Sequence, residues 1–205
     1  MSSKIVTRYF GIVDYDSTWS EMKSFTENRD LNTNDEIWIL EHEPLFTQGL
    51  AGKPENILVD TKIPMIKSDR GGQITYHGPG QIIFYLLFDL KRLKLGIKKF
   101  VSIIEQSVMD LLIEFDINSE LVEKAPGVYV DGMKIAQLGL KVKNGLTYHG
   151  LSLNFDMDLK PFEMINPCGY KDLKVTQLTD LKDNIDKEKT IKRFTEIFSQ
   201  HVSRN

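Results

Sequence analysis

The sequence predicts a mixed α/β protein whose strands are joined by antiparallel hairpins rather than by regular βαβ repeats. Three observations carry this. Residues 36–41 (EIWILE) and Gln81–Leu87 (QIIFYLL) are short, almost continuously apolar runs of strand length. Residues 97–115 and 187–202 repeat their apolar side chains at helical spacing. Residues 127–155 are divided by Asp131-Gly132 and Asn144-Gly145, two strong signals for two-residue hairpins.

Taken in order, residues 5–15 read as a strand. A helix is expected from about Thr18, with Trp19, Met22 and Phe25 on one face. Residues 36–41 read as a buried strand, and Met65–Lys67 and Gln81–Leu87 as further strands. In the helix over 97–115, Phe100, Ile103, Ile104, Val108, Leu111, Leu112 and Phe115 form the apolar stripe. Residues 127–155 read as a strand meander. The last helix, 187–202, turns Ile191, Phe194, Ile197 and Phe198 inward. Nothing in the chain reads as a linker, so one domain over residues 1–205 is expected.

Composition narrows the function. The chain has 26 basic and 29 acidic residues, a net charge of −3, which argues against a nucleic-acid coat or a polybasic membrane binder. One cysteine allows no intrachain disulfide and excludes a four-cysteine zinc site. Residues 1–10 carry Lys4 and Arg8 without a following apolar run and do not read as a signal peptide. The longest stretch free of Asp, Glu, Lys and Arg, residues 71–88, is continuously apolar only over its last seven residues, too short to span a bilayer. A cytoplasmic location is expected.

Four motifs could carry chemistry. Four of the 14 glycines fall between Gly71 and Gly80, in RGGQITYHGPGQ (70–81). This is neither a Walker A loop, lacking Gly-Lys-Ser/Thr, nor a dinucleotide fingerprint, lacking the third glycine. It offers a guanidinium (Arg70), an imidazole (His77) and closely spaced backbone amides, a set that suits a carbonyl or carboxylate-like group. Taken singly, Arg70 also reads as a surface ion pair and His77 as a hydrogen-bonded core histidine. Thr147-Tyr-His-Gly150 repeats Thr75-Tyr-His-Gly78, which suggests two strand ends meeting at one site. Cys168 stands in turn-type sequence, Asn166-Pro-Cys-Gly169, rather than in an apolar run. It would act as a nucleophile only with its pKa depressed by a cation, a histidine or a helix N-terminus. Lys134, after the Asp131-Gly132 turn, reads either as a solvated lysine or as an ammonium beside Cys168. His42 lacks a second histidine four residues on, and no histidine pair has ligand spacing, so no metal is expected.

In order, EHEPLFTQG (41–49), RGGQITYHGPGQ, GVYVDGMKIAQLGL (127–140), TYHGLSLNF (147–155) and NPCG closely resemble the lipoyl(octanoyl) transferases, from about Glu41 to Leu178. The resemblance implies a lipoate/biotin protein ligase-like fold of mixed sheets packed by helices, and an acyl-enzyme mechanism without a cofactor. It implies that Cys168 accepts the acyl group and that Lys134 lowers its pKa. It assigns substrate binding to Arg70, Gly71, Gly72, Gln73, Ile74, Thr75, Tyr76 and His77, then to Gln137, Leu138 and Gly139, then to Gly150, Leu151 and Ser152, with His77 and His149 at the polar end of the acyl slot. Gln137 stands where the family more often has Ser or Ala, and Ser152 where Ala is commoner.

The implied donor is octanoyl-acyl carrier protein. The implied acceptors are apo lipoyl domains of 2-oxoacid dehydrogenases and the glycine cleavage H protein, with no nucleic acid and no membrane involved. Exchange of one thioester for another on Cys168 is nearly neutral in free energy, and amide formation with the acceptor lysine is strongly downhill, so no ATP is required. Residues 91–99 (KRLKLGIKK) hold five basic residues and no acid, which makes them either a docking patch for an acidic carrier or a solvated helix entry. ATP-dependent lipoate or biotin ligases share the fold and are the alternative, along with a non-catalytic lipoyl-domain or acyl-carrier binding module. A cysteine hydrolase using His149 as its base lacks a nameable orienting residue.

Overall fold

The structure is a computed structural model that describes residues 5–171 and 173–204 and, of Cys168, the backbone alone. In chain order its elements are β1 (Val6–Val13), α1 (Tyr15–Glu27), β2 (Glu36–His42), β3 (Leu45–Gln48), β4 (Met65–Lys67), β5 (Ile74–His77), β6 (Gln81–Leu87), α2 (Ile97–Glu114), β7 (Gly127–Val130), β8 (Met133–Lys143), β9 (Leu146–Asn154), the single turn α3 (Leu178–Leu181) and α4 (Lys187–Ser203). Short 3-10 turns occupy Pro54–Asn56, Lys160–Met164 and Pro167–Gly169.

Six strands form the large sheet in the order β1-β2-β6-β9-β8-β7, with β1 and β2 parallel and the other pairs antiparallel. Its central strands explain the continuous apolar runs. Along β2 and β6, Ile37, Ile39, Ile82, Phe84 and Leu86 face α2 and α4, while Trp38, Leu40, Ile83, Tyr85 and Leu87 face α1, so both sides of each strand are buried. Phe194 of α4 sits 4.3 Å from Phe84 between ring centroids, and Phe198 packs edge-on against Phe88. Both expected hairpin turns form, with positive φ at Asp131, Gly132, Asn144 and Gly145. Among the described residues no helix is long and apolar enough to cross a membrane.

Helix α1 begins three residues earlier than the periodicity suggested, because Asp14 caps it: its side chain accepts a hydrogen bond from the Ser17 amide at 2.9 Å. Ile191 is only partly buried, whereas Phe194, Ile197, Phe198 and Val202 of α4 enter the core.

A second sheet, β4-β3-β5, was not anticipated. Of its strands only β4, Met65–Lys67, was expected; β3 and β5 have four residues each and lie beside Pro44 and the glycine cluster, so their own sequence carries little periodic signal. Packing onto Phe46, Ile74, Tyr76, Met157, Phe162 and Ile165 makes them strands. This small sheet holds the glycine-rich segment against the face of the large sheet opposite α2 and α4.

Candidate functional site

Two adjoining cavities lie where the glycine-rich segment meets β8 and β9. The inner one is lined by Arg70, Ile74, Thr75, His77, Gln137, His149, Gly150, Leu151 and Ser152, together with Tyr15, Ile83 and Tyr85. The outer one, about 350 Å³, takes in Gly71, Lys134, Leu140, Ile97, Val101, Lys124 and Tyr170. Gly72, Gln73, Leu138 and Gly139 line both. Close approach of backbone makes this possible: a Cβ on Gly139 would come within 3.1 Å of both the Gly71 carbonyl oxygen and Arg70 Cδ.

Lys134 is 1% exposed, which excludes the solvated lysine that its position after a hairpin suggested. A β-bulge positions it. Val128 pairs with Ala136 but Tyr129 pairs with Lys134, so Ile135 is an extra residue on β8. In a regular strand Lys134 and Gln137, three apart, would point to opposite faces. The bulge brings them to one face, opposite Tyr129 and Gly127 of β7. The Lys134 ammonium lies 5.1 Å from the centre of the Tyr129 ring. Its backbone is tied to the segment after Cys168: its amide donates to the Lys174 carbonyl at 2.9 Å, and Thr176 N donates to the Lys134 carbonyl at 3.0 Å. Gly127, at φ +133°, donates its N–H to Glu105 Oε1 at 3.0 Å. Burial pushes the Glu105 carboxyl up, opposed by that hydrogen bond and by the Lys134 charge.

The cysteine segment closes the junction. The 3-10 turn Pro167–Gly169 packs against β5, and Gly169 at φ +76° lies so close to Gln73 that a Cβ there would overlap its side-chain amide. Asn56 Nδ2 donates to Gln73 Oε1 at 2.7 Å and fixes that amide. The Cys168 side chain, the expected nucleophile, lies outside the described residues.

The two Thr-Tyr-His-Gly copies do converge. Tyr15 stands between their histidines, its ring stacked 6.3 Å from His77 and 6.4 Å from His149. The equivalence ends there, because His77 closes β5 whereas His149 lies within β9. Both nitrogens of His77 are occupied: Nδ1–H donates to Gln81 Oε1 at 2.7 Å and Nε2 accepts from Thr47 Oγ1 at 3.0 Å. Arg70 donates to the same hydroxyl and to the Thr47 carbonyl, at 2.6–3.1 Å, and is buried rather than a surface ion pair. Burial, with His42 and Arg70 nearby, pulls His77 well below its usual value, so it is neutral.

His149 adopts a left-handed backbone, φ +57°, uncommon for a residue with a side chain. That lets it and Tyr148, which alternation would separate, reach one carboxylate. His149 Nε2 lies 3.0 Å from Asp69 Oδ1, Tyr148 donates its hydroxyl to Asp69 Oδ2, and Trp19 Nε1 donates to Oδ1 at 2.9 Å. Burial would raise the Asp69 pKa, but hydrogen bonds from His149, Tyr148 and Trp19 outweigh it and hold the carboxyl well below the usual range. Burial lowers His149 against the pull of Asp69.

Of the residues that the resemblance assigned, Tyr76 is the exception among those whose side chains are described. Its ring packs between Phe46 and Phe162 in the core of the small sheet and lines neither cavity. Tyr15, Thr47, Asp69 and Tyr85 are site residues that sequence reasoning missed. Asp69 adjoins Arg70, but its partners lie 50, 79 and 80 positions away, so only the fold reveals them.

The lipoyl protein ligase A/B catalytic domain model matches residues 14–201. The chain belongs to that family. Within it, an octanoyltransferase of Vesicomyosocius okutanii subsp. Calyptogena okutanii is 57% identical over 196 residues, covering 95% of this chain and 96% of that protein. An octanoyltransferase of Chromobacterium violaceum is 52% identical over 198 residues, covering 97% and 96%. These are the relatives that the motif order led us to expect. The fold is shared with a bipartite lipoate protein ligase of Thermoplasma acidophilum (TM-score 0.74, 13% identity, covering 98% of this chain and 85% of that one). It is also shared with the biotin protein ligase of Aquifex aeolicus bound to biotin and ATP (TM-score 0.64, 13% identity, covering 97% and 71%).

Proposed function

We propose that this chain transfers an octanoyl group from a carrier-protein thioester to a lysine of a lipoyl domain, through a thioester on Cys168. The observation that carries the reading is Lys134: an amine buried to 1% exposure at the junction of an apolar-walled cavity and the segment bearing the chain's one thiol. Burying a lysine is costly unless its charge is used, and a solvated surface strand has no need of it. Identity above 50% to octanoyltransferases over nearly the whole chain supports the same acyl group.

The chemistry follows in two balanced steps. The Lys134 ammonium favours the Cys168 thiolate, since a free thiol with a pKa of about 8.5 is only slightly ionised at neutral pH. The thiolate attacks the donor carbonyl, a new C–S bond forms, and the carrier thiolate leaves and takes a proton from Lys134. The incoming lysine arrives as its neutral amine, and Lys134, now neutral, accepts the N–H proton that this amine loses as the amide forms. That amine attacks the acyl-enzyme, forms the amide and releases the Cys168 thiolate. Ile74, Ile83, Leu138 and Leu151 wall the inner cavity against the acyl chain, where each buried methylene contributes about 0.8 kcal/mol. The oxyanion would be held by backbone amides of the glycine segments, each worth roughly 3–4 kcal/mol in comparable sites. Gly71 N is not among them, as it already donates to the Leu140 carbonyl at 2.9 Å.

The docking patch is narrower than the sequence suggested. Arg92 is spent on Asp35 at 2.7 Å and on the Leu31 and Thr33 carbonyls. Lys91, Lys94, Lys98 and Lys99 remain exposed, the last two beside Ile97 at the rim of the outer cavity. An acidic carrier protein docks there in this reading.

The test is intact mass after mixing the chain with octanoyl-acyl carrier protein without ATP, wild type beside Cys168→Ser, followed by an apo lipoyl domain. The expected result is a hydroxylamine-labile octanoyl adduct on wild type alone, passed on to the lipoyl domain. Transfer only from free octanoate plus ATP, with Cys168→Ser active, overturns the reading in favour of a ligase.

A further inference from the structure

Among the described residues six buried polar side-chain atoms have no hydrogen-bond partner within the chain, and three of them belong to residues that line the inner cavity: Thr75 Oγ1, Gln137 Nε2 and His149 Nδ1. Native interiors leave few such atoms, and each costs about 1–3 kcal/mol when nothing meets it. Their residues are 5%, 5% and 1% exposed. Three of the six on the wall of one cavity make this a property of the cavity.

Neighbours orient two of the three groups, Gln137 and His149. Ser152 Oγ donates to Gln137 Oε1 at 2.7 Å, across the Gln137–Ser152 register pair of β8 and β9, which leaves the amide NH₂ as a donor. Turning that amide over would still leave one of its two heavy atoms unmet. His149 is held neutral by burial and gives its Nε2 proton to Asp69 at 3.0 Å, so Nδ1 is left as a lone-pair acceptor. Thr75 Oγ1 can donate or accept. Gln137 and Ser152 lie three residues along the strands from Leu140 and His149, so the unmet atoms are spread along the cavity wall.

A saturated hydrocarbon chain satisfies none of these atoms. A hydroxyl, both donor and acceptor, satisfies any of them; an oxo group could serve only the donors. We propose that the inner cavity also takes hydroxyl-bearing medium-chain acyl groups, making a hydroxyacyl carrier thioester a second donor class for this chain. The proposal rests on the octanoyl-transfer reading for its reaction. The thioester exchange on Cys168 and the amide formation are unchanged, and the hydroxyl is a spectator that pairs with the wall.

The experiment measures kcat/KM for acyl transfer to a lipoyl domain from a panel of pantetheine thioesters: octanoyl, octanoyl hydroxylated near the carboxyl end, and octanoyl hydroxylated at the terminal carbon. Wild type is run beside Gln137→Leu and Thr75→Val. The expected result is that at least one hydroxylated thioester is used about fivefold or more better, relative to octanoyl, by wild type than by one of the two variants. Transfer of octanoyl with rejection of every hydroxylated chain by wild type overturns the proposal while leaving the octanoyl reading intact. Equal hydroxylated-to-octanoyl ratios in wild type and both variants also overturn it. Failure of all the thioesters, octanoyl included, refutes the reaction itself. Should a variant not fold, the wild-type panel still decides.

Discussion

Replacing Gly127 by alanine separates the placement of Lys134 from the stability of the fold. At φ +133° the added side chain is strained, at about 1–3 kcal/mol. Its Cβ would also lie 2.5 Å from the Ala136 carbonyl oxygen and 2.5 Å from Lys134 Cε. The carbonyl belongs to the β7–β8 pairing and yields little, so the lysine stem moves instead, and the overpacking adds about 1–3 kcal/mol. The total, about 2–6 kcal/mol, corresponds to a Tm lower by roughly 5–20 °C in a chain of this size. Displacing a reacting group by about 1 Å can cost about 100-fold in rate. Gly132→Ala is the control: φ is +73°, but nothing lies within 4 Å of the added carbon, so it carries the backbone strain without the collision. Rapid-quench mass spectrometry of acyl-enzyme formation, with calorimetry on the same samples, reads both effects. Gly127→Ala should acylate about 100-fold more slowly than Gly132→Ala. If both variants lose equal stability and acylate at the wild-type rate, the collision with Lys134 does not set its position.

Three further outcomes follow from the same geometry. His42 donates Nδ1–H to the Val13 carbonyl at 2.8 Å, accepts the Tyr85 hydroxyl at 2.6 Å, and is pulled down to about 4 by burial. Between pH 6.5 and about 4 the unfolded chain binds a proton here that the folded chain does not. Stability should therefore fall by about 3 kcal/mol from this group as pH drops through that window, and urea titrations that stay flat from pH 7 to 4.5 would contradict it. Asp69→Asn removes a carboxylate that holds Trp19, Tyr148 and His149 together and should cost about 2–3 kcal/mol at pH 7. Because the Asp69 pKa is depressed, its contribution is complete above the ordinary carboxylate value and is lost as pH falls through the lowered one, so denaturation curves of variant and wild type should converge in strong acid. Reversing charge at Lys98 and Lys99 should raise KM for carrier-bound octanoate and leave KM for a small octanoyl thioester unchanged; equal effects on both would remove the docking patch.

How much of this was legible in the sequence depends on how local the cause is. The long helices, the buried strands and both hairpins could be read because periodicity and turn chemistry act within a dozen residues. β3 and β5 could not, since strands of four residues take their identity from the sheet they join. At the site, ordered motifs gave nearly all the cavity-lining residues, and Tyr76 shows the limit. It sits inside a motif yet turns to the opposite side of β5, where Phe46 and Phe162 make room for it. Asp69 shows the converse. No motif marks it, yet it holds three side chains together from far along the chain, an arrangement that only the assembled sheet creates.

The bulge at Ile135 makes the length of β8 a functional quantity, separate from its composition. Ile135 itself is wholly buried among hydrocarbon and tolerates another aliphatic side chain of similar size. Pairing it regularly, with no bulge, would restore simple alternation along the present sequence and turn the Lys134 amine toward the side that holds Ile103, Ile104 and Val108, whereas deleting it would leave Lys134 and Gln137 two apart and still on one face. Grafting this site onto another sheet therefore means matching residue count to strand geometry: lysine and glutamine separated by two residues on a bulged strand, or by one on a regular strand. A design that kept every side chain and idealised the strand would fold with its amine buried on the wrong side.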